Sequence, residues 1–261
     1  MSVAIITGAS SGIGSEFAKQ LKEKCGVKEF WFVARREENM KRLAENLSVN
    51  AKIITADLTE KAGIEKVREA LIEEKPTVKY LINCAGFGNF GSFDEIPESD
   101  VEKMIDLNVK ALVLITHMVI PYMERGGRIV ELGSGSCFTP LPYFNTYSSS
   151  KVFVLHYTKS LNFELKKYGI RATCFCPGWV ETEFLGKATA RANVTMPKTM
   201  KPMLKCPDVV AKCIKAMERG RAMCVTNWYT KLQHLLFKLT PDVLLTKTWL
   251  TMLKQPNKEE K

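Results

Sequence analysis

The sequence predicts an α/β fold, one doubly wound parallel sheet of about seven strands with helices on both faces. Three observations point there. Strand-like runs near 2–6, 29–34, 51–56, 78–82, 127–132, 170–175 and 222–225 alternate with helix-like segments near 12–24, 38–47, 60–74, 99–124, 147–168 and 207–219, and repeated βα units call for parallel strands covered on both sides. A glycine-rich turn joins the first strand to the first helix. The 261 residues, 46% of them hydrophobic, suffice for one large core, and no Pro/Gly/Ser-rich linker divides them, so 1–261 is read as a single domain.

Ligands of such a sheet bind at the carboxyl ends of its strands, so the turns after the strands hold the candidates. After the first strand, Thr7-Gly8-Ala9-Ser10-Ser11-Gly12-Ile13-Gly14 leads into a helix bearing Phe17, Ala18 and Leu21. Its glycines let backbone approach a pyrophosphate, and the helix N-terminus adds free N–H groups and partial positive charge. No Gly-Lys-Ser/Thr follows, so this is not a Walker loop. The second strand ends in Arg35-Arg36, where an acid would accept from a ribose 2′-hydroxyl and an arginine pairs with a 2′-phosphate. NADP(H) is therefore the expected cofactor, with Arg35 the better candidate and Arg36 the second. After the third strand, Asp57 and Leu58 are candidates for the adenine edge, although Asp57 could equally cap the helix starting near Thr59. The fourth strand ends in a second close-approach turn, Asn83-Cys84-Ala85-Gly86.

In Tyr147-Ser148-Ser149-Ser150-Lys151, the tyrosine and lysine stand i and i+4 and share a helix face. Tyrosine titrates near 10, so it exchanges protons poorly at neutral pH unless a nearby cation stabilises its phenolate. Lys151 is placed to supply that cation.

Net charge is +10, and residues 187–261 hold 15 Lys+Arg against 5 Asp+Glu, while residues 1–186 balance at 23 against 23. That field suits an anionic substrate, a carrier molecule or a membrane surface, or serves as a solvated basic face. No nucleic-acid partner is expected. The eight cysteines lack metal spacing; Cys174 and Cys176 share a strand face and are read, like the others, as buried free thiols of a reducing compartment. The first strand starts beside Met1, and no uncharged apolar stretch reaches bilayer length, so a soluble cytoplasmic protein is expected. A serine hydrolase is disfavoured: Ser134 stands in Leu132-Gly133-Ser134-Gly135-Ser136, not G-x-S-x-G, and His117 and His156 lie in apolar helical stretches where packing is expected.

Together these motifs resemble the short-chain dehydrogenase/reductase family along nearly the whole chain. Thr7 to Gly14 matches its T-G-x-x-x-G-x-G turn, Asn83 to Gly86 its N-x-A-G motif with Cys84 as a departure, Leu107-Asn108-Val109 its helix asparagine, and Tyr147 with Lys151 its Tyr-x-x-x-Lys. Ser134 matches the family serine, with Ser136 a substitute, and Pro177-Gly178-Trp179-Val180-Glu181-Thr182 resembles the segment over the nicotinamide. The resemblance implies a Rossmann-type fold and hydride transfer between NADP(H) and a carbonyl or secondary alcohol. By it, Ser134 holds the oxygen, Tyr147 protonates it, Lys151 lowers the tyrosine pKa and bonds the nicotinamide ribose, Asn108 holds a relay water, and Thr182 bonds the carboxamide. A homodimer or homotetramer built from helices 101–124 and 147–168, with Ile105, Leu112, Ile115, Val154 and Leu161 on their faces, is also implied. A catalytically silent dinucleotide-binding redox sensor or scaffold is the alternative.

Specificity is expected from a lid at 183–205, with Gly186, Pro197 and Pro202 suiting a loop or short helices, and from an apolar, basic C-terminal extension at 227–261. In that extension Leu232, Leu235, Leu236 and Leu239, then Leu245, Trp249, Met252 and Leu253, repeat at helical spacing around Pro241. Packing on the domain or a second subunit is the first reading, and a weak membrane-surface contact the second. With Phe138, Tyr143, Phe144, Trp179 and Phe184, the extension suggests a large apolar substrate, a hydroxysteroid or bile acid first and a 3-ketoacyl chain next.

Overall fold

The computed structural model describes residues 2–190 and 203–253. Seven strands, β1 (Val3–Thr7), β2 (Glu29–Ala34), β3 (Asn50–Thr55), β4 (Val78–Asn83), β5 (Met123–Leu132), β6 (Arg171–Cys176) and β7 (Met223–Val225), form one sheet in the order β3-β2-β1-β4-β5-β6-β7. Every neighbouring pair is parallel. Successive residues of a strand face opposite sides, and the central strands show it: Ala4 and Ile6 join Phe30, Phe32, Phe175 and the helix residues Phe17, Leu21 and Met217, whereas Val3 and Ile5 join Trp31, Leu81, Ile129 and the helix residues Val67, Ile115 and Leu161. Both faces are dry at the centre of the sheet, which explains why β1 and β2 read as near-continuous apolar runs.

The crossover helices are α1 (Gly12–Cys25), α2 (Glu37–Leu47), α3 (Lys61–Glu74), α4 (Glu98–Ile105), α5 (Leu112–Val119), α6 (Asn145–Glu164) and α8 (Cys206–Glu218). Strand order reverses between β1 and β4, and the crevice at their carboxyl ends is where such sheets bind ligands.

The expected helix at 99–124 is composite. After α4 comes a π-helical turn, Asp106–Ala111, then α5, and a 3-10 turn, Ile120–Tyr122, containing Pro121. Met123 already belongs to β5, four residues before the expected strand, because Met123 pairs with Val78 of β4 across a register irregularity. By length and hydropathy the stretch Glu98–Tyr122 could cross a membrane, with a mean hydropathy of 1.5 in its best window. Met104, Ala111, Leu112, Ile115, Met118 and Val119 are nonetheless buried inside the protein.

Several expectations need correction. Leu112, Ile115, Val154 and Leu161, which helical periodicity alone leaves open between core and interface, are buried in the core; only Ile105 of that set is exposed, accompanied by Leu114, Val152, Phe153 and Phe163. His117 and His156 are exposed instead of packed, because both lie on the outward sides of their helices. The lid begins as a short helix, α7 (Glu183–Thr189), with Gly186 inside it, while Pro197 and Pro202 lie outside the described residues. The extension forms α9 (Trp228–Leu239) and α10 (Asp242–Met252), broken at Thr240-Pro241 as expected for a residue without an N–H.

Candidate active site

The turn after β1 is shaped by close approach. Gly8 and Gly12 adopt positive φ (69° and 56°), and a Cβ on Gly14 would stand 2.4 Å from the Gly8 carbonyl oxygen. A Cβ on Gly8 would meet the Ala85 nitrogen at 2.8 Å, so the turns after β1 and β4 interlock. Thr7 joins them by hydrogen bonds: its Oγ1 accepts from the Ala85 N–H at 3.2 Å and donates to Asn83 Oδ1 at 3.3 Å. Ser11 at the start of α1 makes no side-chain cap and the first turn holds no acid, while Ile13 anchors the helix to the core. The N–H groups there remain available to an anion, and the cradle fits a pyrophosphate.

At the far end of this cradle, Arg36 donates to Ser10 Oγ and Ser11 Oγ and pairs with Glu183 at 3.1 Å. Arg35 is more open, 74% exposed at the side chain, and lies 3.6 Å from Asp57. Asp57 Oδ1 accepts from the Thr59 N–H at 3.0 Å and hydroxyl at 2.8 Å, so it does organise the entry to α3. Burial works to raise its carboxyl, but the Thr59 bonds and Arg35 hold it below the usual value. Leu58 is buried in the core beneath the turn.

Beyond β5, Ser134 Oγ accepts from the Ser136 N–H at 3.1 Å, and its hydroxyl acts to lower the Tyr147 phenol. Ser136 Oγ is buried without a partner among the described residues, and of the two serines it is Ser134 that acts on the tyrosine. Tyr147 and Lys151 share a face of α6 and are both buried, at 7% and 1% exposure. Lys151 Nζ stands 5.5 Å from the Tyr147 ring centre and donates to the Leu132 carbonyl at 2.7 Å. A Cβ on Gly86 would reach this ammonium at 3.5 Å and Asn108 Oδ1 at 2.9 Å, so only a glycine lets the turn pass between them.

The electrostatics differ from the simple expectation. Burial pushes the Tyr147 phenol well above its ordinary value, the Ser134 bond pulls it down only in part, and burial lowers the Lys151 ammonium to about 8. Desolvation therefore outweighs any help from Lys151 to the phenolate. Asn108, fully buried in the π-helical turn, spends its amide on structure: Oδ1 accepts from the Phe87 N–H at 3.1 Å, and Nδ2 donates to Phe87 O at 2.9 Å and Ser150 Oγ at 3.2 Å. The π turn rotates this residue inward, a detail that helical periodicity does not carry.

Glu131 on β5 was not among the sequence candidates. It is fully buried, with Oε1 2.7 Å from Thr116 Oγ1 and accepting from the Asn83 amide at 3.3 Å, and with Oε2 unpartnered among the described residues. A carboxyl inside an otherwise apolar strand, Ile129-Val130-Glu131-Leu132, was the available signal.

An aromatic wall stands over the phenol. Phe90 stacks on Phe144 at 3.7 Å, Phe144 on Tyr147 at 4.4 Å, and Phe184 lies 5.4 Å from Tyr147. Phe87, Tyr143, Trp179 and Trp249 pack against this group, and Trp249 of α10 donates to the Pro142 carbonyl at 2.9 Å. Phe138 departs from expectation: it packs on His234 of α9 at 4.1 Å, outside the wall. The Pro177 carbonyl accepts from the Gly135 N–H at 2.7 Å, tying the next segment to the Ser134 loop, and Gly178 lies against Thr230 of α9. Val180 is buried and bridges Leu204. Thr182 caps α7 by accepting from the Phe184 N–H, and its methyl would lie 3.5 Å from a Cβ on Gly12.

A parallel sheet with this cradle at its switch point, and a serine, tyrosine and lysine gathered beside it, defines a dinucleotide-dependent oxidoreductase of the Rossmann class. Residues 2–193 match the family model described as short chain dehydrogenase, and the chain belongs to that family. It is 35% identical over 188 residues to sulfoacetaldehyde reductase 2 of Chromohalobacter salexigens, covering 70% of this chain and 74% of that one. A short-chain dehydrogenase from Sphingobium yanoikuyae, solved in complex with NADPH, superimposes with a TM-score of 0.78 at 26% identity over 100% and 99% of the two chains. The bulky-bulky ketone specific alcohol dehydrogenase of Comamonas testosteroni gives a TM-score of 0.71 at 25% identity over 92% and 93%. The protein is thus an oxidoreductase that takes a nicotinamide dinucleotide and a small-molecule substrate.

Proposed function

We propose that this protein reduces the ketone of a large apolar substrate with NADPH. A hydroxysteroid or bile acid is the first substrate class and a 3-ketoacyl chain the next. One observation carries the reading: Tyr147 is enclosed by the Phe90, Phe144, Phe184, Trp179 and Trp249 wall, so the proton donor opens onto apolar surface. The relatives solved with NADPH and named for bulky ketones support it.

The bound cofactor supplies the hydride, and the chain manages the oxygen and the proton. Ser134 holds the carbonyl oxygen as charge grows on it. Tyr147 Oη then releases its proton to that oxygen, completing the alcohol, and is reprotonated from water. A phenol raised by burial keeps its proton at neutral pH, which sets the site for reduction. Lys151, held by the Leu132 carbonyl, stabilises the tyrosinate left behind and would hold the nicotinamide ribose. Asn108 fixes the Gly86 turn, leaving one Oδ1 lone pair for a relay water. Gly8 to Gly14 and Ala85 cradle the pyrophosphate, Pro177 to Thr182 cover the nicotinamide, and Arg35 with Arg36 takes the 2′-phosphate. The whole chain acts as one domain in a cytoplasmic setting, consistent with eight free cysteines. The exposed Ile105, Leu114, Val152 and Phe153 face suits self-association. The silent-scaffold alternative is disfavoured because Ser134, Tyr147 and Lys151 are assembled.

A panel of steroid, bile-acid, 3-ketoacyl and small ketones, each with NADPH and NADH, tests this reading. The bulky ketones with NADPH should give the highest kcat/KM, by about tenfold or more over NADH given the strength of charge-assisted bonds to a phosphate. Higher activity with NADH overturns the cofactor assignment.

A further inference from the structure

One cleft outside the active site gathers positive charge. It lies between the end of α8, β7 and the start of α9, has a volume of about 590 Å³, and is lined by Lys212, Lys215, Arg219, Arg221, Lys231 and His234 without any carboxylate. None of the five lysines and arginines forms an ion pair among the described residues. Lys231, Arg221 and Lys212 all act on one thiol: Cys224 is held below the usual cysteine value by the neighbouring Cys213 thiol first and, against the effect of burial, by these three cations.

The helix that supplies Lys231 and His234 also carries an apolar stripe. Leu232, Leu235, Leu236 and Leu239 of α9 stand at i, i+3, i+4 and i+7 and are 44%, 57%, 50% and 79% exposed, and Val243 and Leu244 continue the exposed surface onto α10. From Arg219 to Lys258 the sequence holds seven Lys+Arg and one acid, Asp242. Two copies of this face would bring like charges together. An anionic bilayer complements both parts, taking leucines into its interfacial region while phosphates meet the cleft.

We propose that α9, α10 and the adjoining basic cleft form a docking surface for an anionic lipid bilayer. The surface is separate from the hydride-transfer site, although Trp249 on the same pair of helices reaches the aromatic wall. Docking would then place the active site near the layer in which an apolar ketone dissolves.

Co-sedimentation of the full chain with vesicles tests it, comparing phosphatidylcholine alone with phosphatidylcholine containing about one third phosphatidylglycerol. The protein should sediment with the anionic vesicles and be released by high salt. Leu235→Ser with Leu239→Ser, and separately Lys212→Glu with Lys215→Glu, should each cut partitioning by about tenfold or more. Far-UV dichroism and the melting temperature establish that each variant is folded. Equal binding to both vesicle types, no binding, or unchanged partitioning in the folded variants overturns the proposal. So does light scattering showing that the serine variants convert a dimer to monomers while the wild type ignores vesicles, which would assign the stripe to a second copy.

Discussion

Asn83 offers two amide hydrogens, to Thr116 Oγ1 at 2.9 Å and Glu131 Oε1 at 3.3 Å. Thr116 has one hydroxyl proton, yet Leu112 O (2.8 Å) and Glu131 Oε1 (2.7 Å) both lie within its reach. A protonated Glu131 resolves the count, donating to Thr116, which donates onward to Leu112. Burial raises this carboxyl to about 8 against the pull of Thr116, Asn83 and Lys151. Cys84 and Tyr157 are the other titratable groups within its field. Because the folded pKa lies above the unfolded value near 4.3, the stabilisation is complete below that value and is lost as pH rises through 8. Lys151 has the opposite sign: its depressed pKa destabilises the fold below about 8, and the cost is relieved between there and 10.5. The melting temperature should therefore fall from pH 5 to 8 and recover above it. Glu131→Gln should flatten the fall, a difference on the order of a few kcal/mol at pH 8; an unchanged slope would show that Glu131 is already ionised. At this scale the close-approach turns were legible because they follow β1 and β4, while Glu131 was not, since its partners Asn83 and Thr116 are distant in sequence.

Among the elements, the glycine turns and α10 set the site's shape. A Cβ on Gly88 would stand 2.6 Å from the Tyr147 ring and 3.0 Å from Phe144, so Gly88→Ala should displace the phenol. We expect kcat to fall by about tenfold or more with dinucleotide affinity retained, measured by steady-state kinetics beside a binding titration. Trp249→Ala removes both its packing on the wall and the bond to Pro142. KM for bulky ketones should rise about tenfold while small ketones are unaffected; equal losses for both would separate α10 from specificity. Strands and most helices could be read in the sequence because both faces are dry at the centre of the sheet. The π turn and the early start of β5 could not: one is fixed by Asn108 gripping Phe87, the other by Met123 pairing with Val78.

Taken as a whole, the molecule brings distant residues to one crevice. Phe90 follows β4, Phe144 precedes α6, Phe184 lies in α7 and Trp249 in α10, yet they form one wall over Tyr147. Composition pointed to an apolar pocket, but spacing gave no sign that Phe87, Gly88 and Phe90 belonged to it, nor that Phe138 would turn to α9 instead. The cofactor cradle was more legible because it is local in sequence and demanded by backbone geometry. The central claim, proton donation by Tyr147 in NADPH-dependent ketone reduction, is tested most directly by measuring ketone-dependent NADPH oxidation and NADPH affinity for the wild type and Tyr147→Phe. The variant should lose about a hundredfold or more in turnover with affinity unchanged; turnover within a few-fold of the wild type would contradict the account.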